Sequence, residues 1–251
     1  MPRYVRDSTA GAVVLNEFGK SFIGKSDNYN LFFEYHVRVK ILNKNGLKQT
    51  NIEIPLYKKD NNLFERALNI KASSFNLENG RIVESALERK DIFNEDRNEF
   101  WNVKKFAFPN VRVGSVIEIS YTIESPFKFN FRSWEFQSDI PKIQSEYWAS
   151  IPGVYIYNIA LRGFLKLSKN ESSIVKNCLG TGNGISGGFS ADCALMKFGM
   201  KDIPAFVEED YMTARKNCFS AINFELAEVR RPNGGVDKVC STGYCRFKMA
   251  T

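Results

Sequence analysis

The sequence predicts an all-β fold, a large antiparallel β-sandwich with little helix, and three observations carry that prediction. Apolar and polar residues alternate with period two through several long segments, the signature of strands with one buried and one wetted face. Turn dipeptides, Asn45-Gly46, Asn79-Gly80 and Pro152-Gly153, punctuate those segments, as hairpins require. Phenylalanine is abundant, 21 of 251 residues, and aromatic rings suit pleated, half-buried surfaces.

In chain order, residues 31–41 come first. Phe33, Tyr35, Val37, Val39 and Ile41 share one face, and Glu34, His36, Arg38 and Lys40 share the other. Residues 51–56 alternate in the same way. Residues 114–124 set Ile117, Ile119, Tyr121 and Ile123 against Val116, Glu118, Ser120, Thr122 and Glu124. Shorter alternations cover 132–136, 154–161 and 220–226, and Pro232-Asn-Gly-Gly235 marks a late turn. Two half-apolar sheets satisfy each other face to face, so many short strands predict a sandwich. The helical candidates are 87–98 and 208–217, where charged residues outnumber apolar ones. Residues 169–199, rich in Gly, Ser and Asn, predict a long surface loop. Residues 1–229 are expected to form the sandwich, and 230–251 a final strand or an irregular, truncated tail.

The formal charge of +7 raises a nucleic-acid reading. More than half of that surplus lies in residues 211–251, and no long basic run occurs. Solubility charge on sheet faces accounts for it, and no nucleic-acid partner is expected. The five cysteines, Cys178, Cys193, Cys218, Cys240 and Cys245, all fall in the last third, with no Cys-x-x-Cys spacing. One or two bridges are the most they allow, and neither a metal site nor a cofactor is expected. No apolar run is long enough to span a bilayer, and the N-terminal residues lack the apolar stretch of a secretory signal.

Histidine chemistry is constrained by a count: His36 is the single histidine. A serine or cysteine nucleophile generally needs an imidazole held in reach and oriented by a third group. His36 instead belongs to a charged, solvated strand face. The sharpest enzymatic alternative is a trypsin-like all-β serine hydrolase. It rests on Gly184-Ile-Ser-Gly-Gly188, with Ser186 as nucleophile, His36 as base and Asp60 or Asp91 as orienting carboxylate. Against it, Ile185 stands where those enzymes carry aspartate. Gly182-Asn-Gly-Ile-Ser-Gly187 matches a dinucleotide fingerprint, but it lacks the strand-to-helix setting that gives that motif its function. Every cysteine follows His36, the reverse of the papain-like order, and Glu208, Glu209 and Asp210 are adjacent rather than opposed across a cleft. Asn170-Glu-Ser172 fits a glycosylation acceptor, of consequence only in a secreted eukaryotic protein. No catalytic residue is therefore assigned.

Binding is the remaining chemistry. Trp101, Trp134 and Trp148 lie in strand-like stretches, where core packing competes with an exposed aromatic strip. Trp134, Tyr147, Trp148 and the glycine-rich loop near Ser186 are the candidate contacts for a protein, peptide or glycan ligand.

Six segments in order carry a family resemblance: residues 10–19, 35–46, 71–80, 106–121 (Phe-Ala-Phe-Pro-Asn-Val-Arg-Val-Gly), 134–141 and 202–212 (Asp-Ile-Pro-Ala-Phe-Val-Glu-Glu-Asp-Tyr-Met). Together, over roughly residues 7–229, they resemble the uncharacterised N-terminal domain that precedes transglutaminase-like domains in Bacteroidetes proteins. The resemblance implies a large β-sandwich, exported to the periplasm or cell surface. It also implies attachment to a downstream transglutaminase or cysteine-peptidase-like partner domain that holds the catalytic Cys, His and Asp. This chain is then expected to be a non-catalytic accessory module that binds or positions substrate.

Overall fold

A computed structural model describes residues 4–24, 29–129, 131–180, 190–207, 218–231, 235–240 and 243–245. It is 65% strand and 5% helical, an all-β protein. The first half contributes β1 (Ala12–Ile23), β2 (Leu31–Ile41), β3 (Asn51–Tyr57), β4 (Arg66–Glu78), β5 (Arg81–Ala86), β6 (Phe93–Asn98), β7 (Trp101–Ala107) and β8 (Val116–Ser125). The second half contributes β9 (Trp134–Glu135), β10 (Lys142–Pro152), β11 (Tyr155–Arg162), β12 (Lys169–Gly180), β13 (Ser190–Ile203), β14 (Ala221–Arg230), β15 (Val236–Cys240) and β16 (Gly243–Cys245).

An eight-stranded sheet in the order β12-β13-β10-β1-β2-β8-β4-β5 forms one layer. A sheet of β11, β14, β15 and β16, with β9 paired to β14, and a three-stranded sheet β3-β7-β6 lie against its inner face. Among the described residues every strand pairing is antiparallel except β1 with β10, which is parallel, Glu17 opposite Ser145 and Gly19 opposite Tyr147. That one pair departs from the purely antiparallel expectation. It needs no hairpin, because the long intervening chain makes the crossover.

The alternation expected in β2 and β8 is present: Phe33, Val37, Val39, Ile41, Ile117, Ile119 and Ile123 are buried. They belong to one continuous core with Ile54, Leu56, Phe106 and Phe108 of the three-stranded side and with Phe136, Tyr157, Ile222 and Phe224 of the other. Asn79 and Gly80 turn the β4–β5 hairpin with φ of 49° and 76°, the left-handed pair that a two-residue hairpin turn uses.

Two expectations give way. The helical candidate 87–98 holds only a short turn at Arg89–Asp91 and then strand β6, whose six residues are all exposed. An edge strand wetted on both faces has no apolar period to display, and its charges pair instead with β7, Lys105 Nζ with Glu95 at 2.6 Å. The second helical candidate, 208–217, lies outside the described residues. The predicted loop 169–199 is largely the β12–β13 hairpin, and β12 is again a mostly exposed edge strand. Cys178 and Cys193 form a disulfide across that hairpin, Cα–Cα 5.7 Å. Beyond β14, the strands β15 and β16 extend the smaller sheet.

Candidate functional site

The outer face of the large sheet carries an aromatic strip interleaved with charge. Registers set it. Phe18 of β1 stands opposite His36 of β2, Lys20 lies between Glu34 and Trp148, Phe22 opposes Phe32, and Trp148 of β10 opposes Lys197 of β13. The indole of Trp148 meets Phe18 edge-on at 5.4 Å between centroids, and Phe22 stacks on Phe32 at 5.5 Å. Ammonium groups cap the rings, with Lys197 Nζ 4.3 Å from the Trp148 centroid and Lys20 Nζ 4.8 Å from that of Phe22. Exposed cation–π contacts of this kind are worth about 0.5–1 kcal/mol each. Glu146 completes the strip, accepting from Trp148 Nε1 at 3.3 Å and pairing with Lys169. All four rings are half-buried. The N-terminal segment folds over one end of this face, where Tyr4 packs on Val13 and Leu42, and Arg6 pairs with Asp202 at 3.1 Å.

His36 sits on the same face with its side chain 32% exposed, Nε2 2.7 Å from Glu118 Oε1. Arg38 pairs with the other Glu118 oxygen at 2.7 Å. Burial works against the Glu118 carboxylate, but the His36 and Arg38 bonds outweigh it and hold its pKa below the ordinary value. The imidazole thus bonds to a carboxylate rather than to a hydroxyl or thiol. Asp60 caps its own loop, accepting from the Asn62 and Leu63 amides, and Asp91 lies in the short turn before β6. Neither is the carboxylate that bonds to His36; that partner is Glu118. Ser186 and both glycine motifs lie outside the described residues, as do Glu208, Glu209 and Asp210.

Trp134 and Tyr147 are interior, 4% and 0% exposed. They stack on each other at 5.2 Å, packing the two layers together rather than lining a surface. The Tyr147 hydroxyl donates to the Arg132 carbonyl at 2.8 Å and lies 2.7 Å from Ser21 Oγ. Burial pushes its pKa far up. Of the three predicted contacts among the described residues, Trp134, Tyr147 and Trp148, Trp148 alone is placed on a wetted face.

Beside Trp134 lies a polar group that the alternation pattern missed. A bulge between Val14 and Asn16 shifts the register of β1. Before it, Ala12 and Val14 point inward; after it, Glu17, Gly19, Ser21 and Ile23 do. Bulges re-aim side chains in this way. Glu17 Oε2 accepts from Lys142 Nζ at 2.6 Å and from Ser145 Oγ at 2.7 Å, and Oε1 accepts from the Tyr35 hydroxyl at 3.0 Å. Trp134 Nε1 donates to Ser145 Oγ at 3.0 Å. The Lys142 and Glu17 side chains are 4% and 9% exposed. Burial, with the nearby Glu17 charge second, drives the Tyr35 pKa upward, so this phenol stays a hydrogen-bond donor. Phase-breaking in Val13-Val14-Leu15 followed by Phe18 and Phe22 was the available sequence signal.

No group of three His, Cys, Asp or Glu side chains among the described residues is arranged to hold a metal. No helix among them is long and apolar enough to cross a membrane.

Comparison with known proteins places this geometry. No curated protein matches the chain. Among solved structures, that of "a putative protease" from Parabacteroides distasonis is similar with a TM-score of 0.63 at 12% identity, over 87% of this chain and 41% of that one. At that identity the likeness is one of fold. The chain therefore spans about two fifths of the length of that solved relative. The family model for DUF3857, described as a domain of unknown function with solved structure, matches residues 28–171. That span runs from the approach to β2 into β12 and takes in most of the eight-stranded sheet, so the chain belongs to the DUF3857 family.

Proposed function

We propose that this chain is a non-catalytic accessory module that presents the open face of its large sheet to a protein partner. The partner we favour is a transglutaminase- or cysteine-peptidase-like domain of a longer polypeptide. The observation that carries the reading is the ordered strip of Phe18, Trp148, Phe22 and Phe32 held between Lys20 and Lys197. Aromatic anchors beside cations are what protein interfaces concentrate. A glycan fits less well, because Lys197 already covers the Trp148 ring on which a sugar would stack. The likeness to a longer protein leaves room for a second domain. The Cys178–Cys193 bridge supports a periplasmic or surface location, where disulfides persist.

The test is calorimetric titration of the chain against a transglutaminase-like domain encoded with it. Saturable binding is expected, weakened at least about tenfold in Trp148→Ala, the size of an interface hot spot. Undiminished binding by Trp148→Ala and Phe18→Ala, or covalent labelling of a serine by a fluorophosphonate, refutes the reading.

A further inference from the structure

The inward turn of Glu17 does more than complete a hydrogen-bond network, because it floors a cavity. A space of about 190 Å³ lies between the large sheet and the three-stranded one, with Glu17 and Lys142 on its floor, Val39, Ile119 and Ile52 in its walls, and exposed Asp139 at its mouth. Its volume is about six times one water's share of the liquid. Neither the void nor the ion pair is what a core needs for stability. A cleft that keeps its apolar walls apart forgoes their packing contacts, and a buried ion pair is commonly matched or bettered by apolar residues of the same size. A larger side chain in place of Val39 would narrow the space.

We propose that this cavity is a binding site for a short aliphatic molecule ending in a neutral head that both donates and accepts hydrogen bonds, such as a primary carboxamide. The charges dictate the head. Glu17 and Lys142 cancel, so a charged ligand would add an uncompensated charge to a desolvated site. Lys142 Nζ donates to Glu17 Oε2 and to the Glu135 carbonyl, which leaves one of its three hydrogens for a ligand acceptor. Glu17 Oε1 takes one bond, from Tyr35, which leaves a lone pair for a ligand donor. The walls take the chain, and about four or five carbons fill the length that such a volume allows.

The experiment is a methyl NMR titration of the whole chain with pentanamide, alongside pentanoate and pentylammonium. Saturable shifts are expected at the Val39 and Ile119 methyls, with the two charged probes at least about tenfold weaker. Ile52→Phe, which narrows the cavity from the opposite sheet, should abolish the shifts while the protein melts as a single folded species. Val39→Phe serves the same purpose from the large sheet, read at the Ile119 methyls, should Ile52→Phe not fold. Absence of saturable shifts at those methyls, equal binding of all three probes, or unchanged binding in the folded filling variant overturns the proposal. None of these outcomes depends on the outer face.

Discussion

Glu118 and Lys142 show how differently two ion pairs act in one sheet. Glu118 lies on the wetted face, bonded to His36 and Arg38, and its lowered pKa means that the folded state favours the carboxylate. The sign follows. A depressed carboxyl contributes stability above its unfolded pKa, and that contribution disappears as the pH falls through the folded value. Acid titration followed by circular dichroism should therefore show stability lost as the pH falls through and below the ordinary glutamate range, and Glu118→Gln should remove part of that slope. Lys142 is different because it is buried. Lys142→Met strands the Glu17 carboxylate and should cost about 3–5 kcal/mol in urea unfolding, whereas Glu17→Leu with Lys142→Met should recover most of it. Gly19 is the tightest position near this pair. A Cβ there would run into the indole of Trp134, which is buried and fixed by its bond to Ser145. Gly19→Ala should accordingly lose about 1–3 kcal/mol, read from the same unfolding curves.

Strands β2 and β8 were legible because each buries one face, so period two is written into their side chains. Strands β6 and β12 were not, because an edge strand wetted on both sides needs no apolar member. Trp148 and Trp134 look alike in sequence, each an aromatic in a strand-like stretch. Only the register of β10 and β14 tells which ring is outside. Glu17 was hidden by the bulge, which reverses the facing of every residue after it. The hairpin of β12 and β13 needs help that its edge position does not provide. Asp192 supplies some, accepting from Asn177 N at 3.0 Å and Lys176 Nζ at 2.7 Å where the register of β12 slips. The disulfide supplies more. Closing a 15-residue separation, it should contribute about 3 kcal/mol. The paired substitution Cys178→Ala with Cys193→Ala should lower the guanidinium midpoint accordingly, and reduction of the native protein should reproduce that loss.

The molecule as a whole is one broad layer backed by two narrow ones, with its core between them and its aromatic strip on the far side. This separation lets the two proposed sites be tested independently. Trp148→Ala acts on the wetted face and should leave the inner cavity's ligand affinity unchanged within about twofold in the methyl titration, since residues without shared partners behave additively. The centre of the broad layer has a further consequence for how the protein is made. Glu17 meets Ser145 across 128 residues of chain, and β1 has β2 on one flank and β10 on the other. On the ribosome, β1 and β2 emerge early and can pair at once, but the second flank of β1 stays bare until synthesis has passed β10. A stalled nascent chain ending before Lys142 thus displays one bare edge of a twelve-residue strand, the surface on which holdase chaperones act and through which ribosome-bound neighbours aggregate.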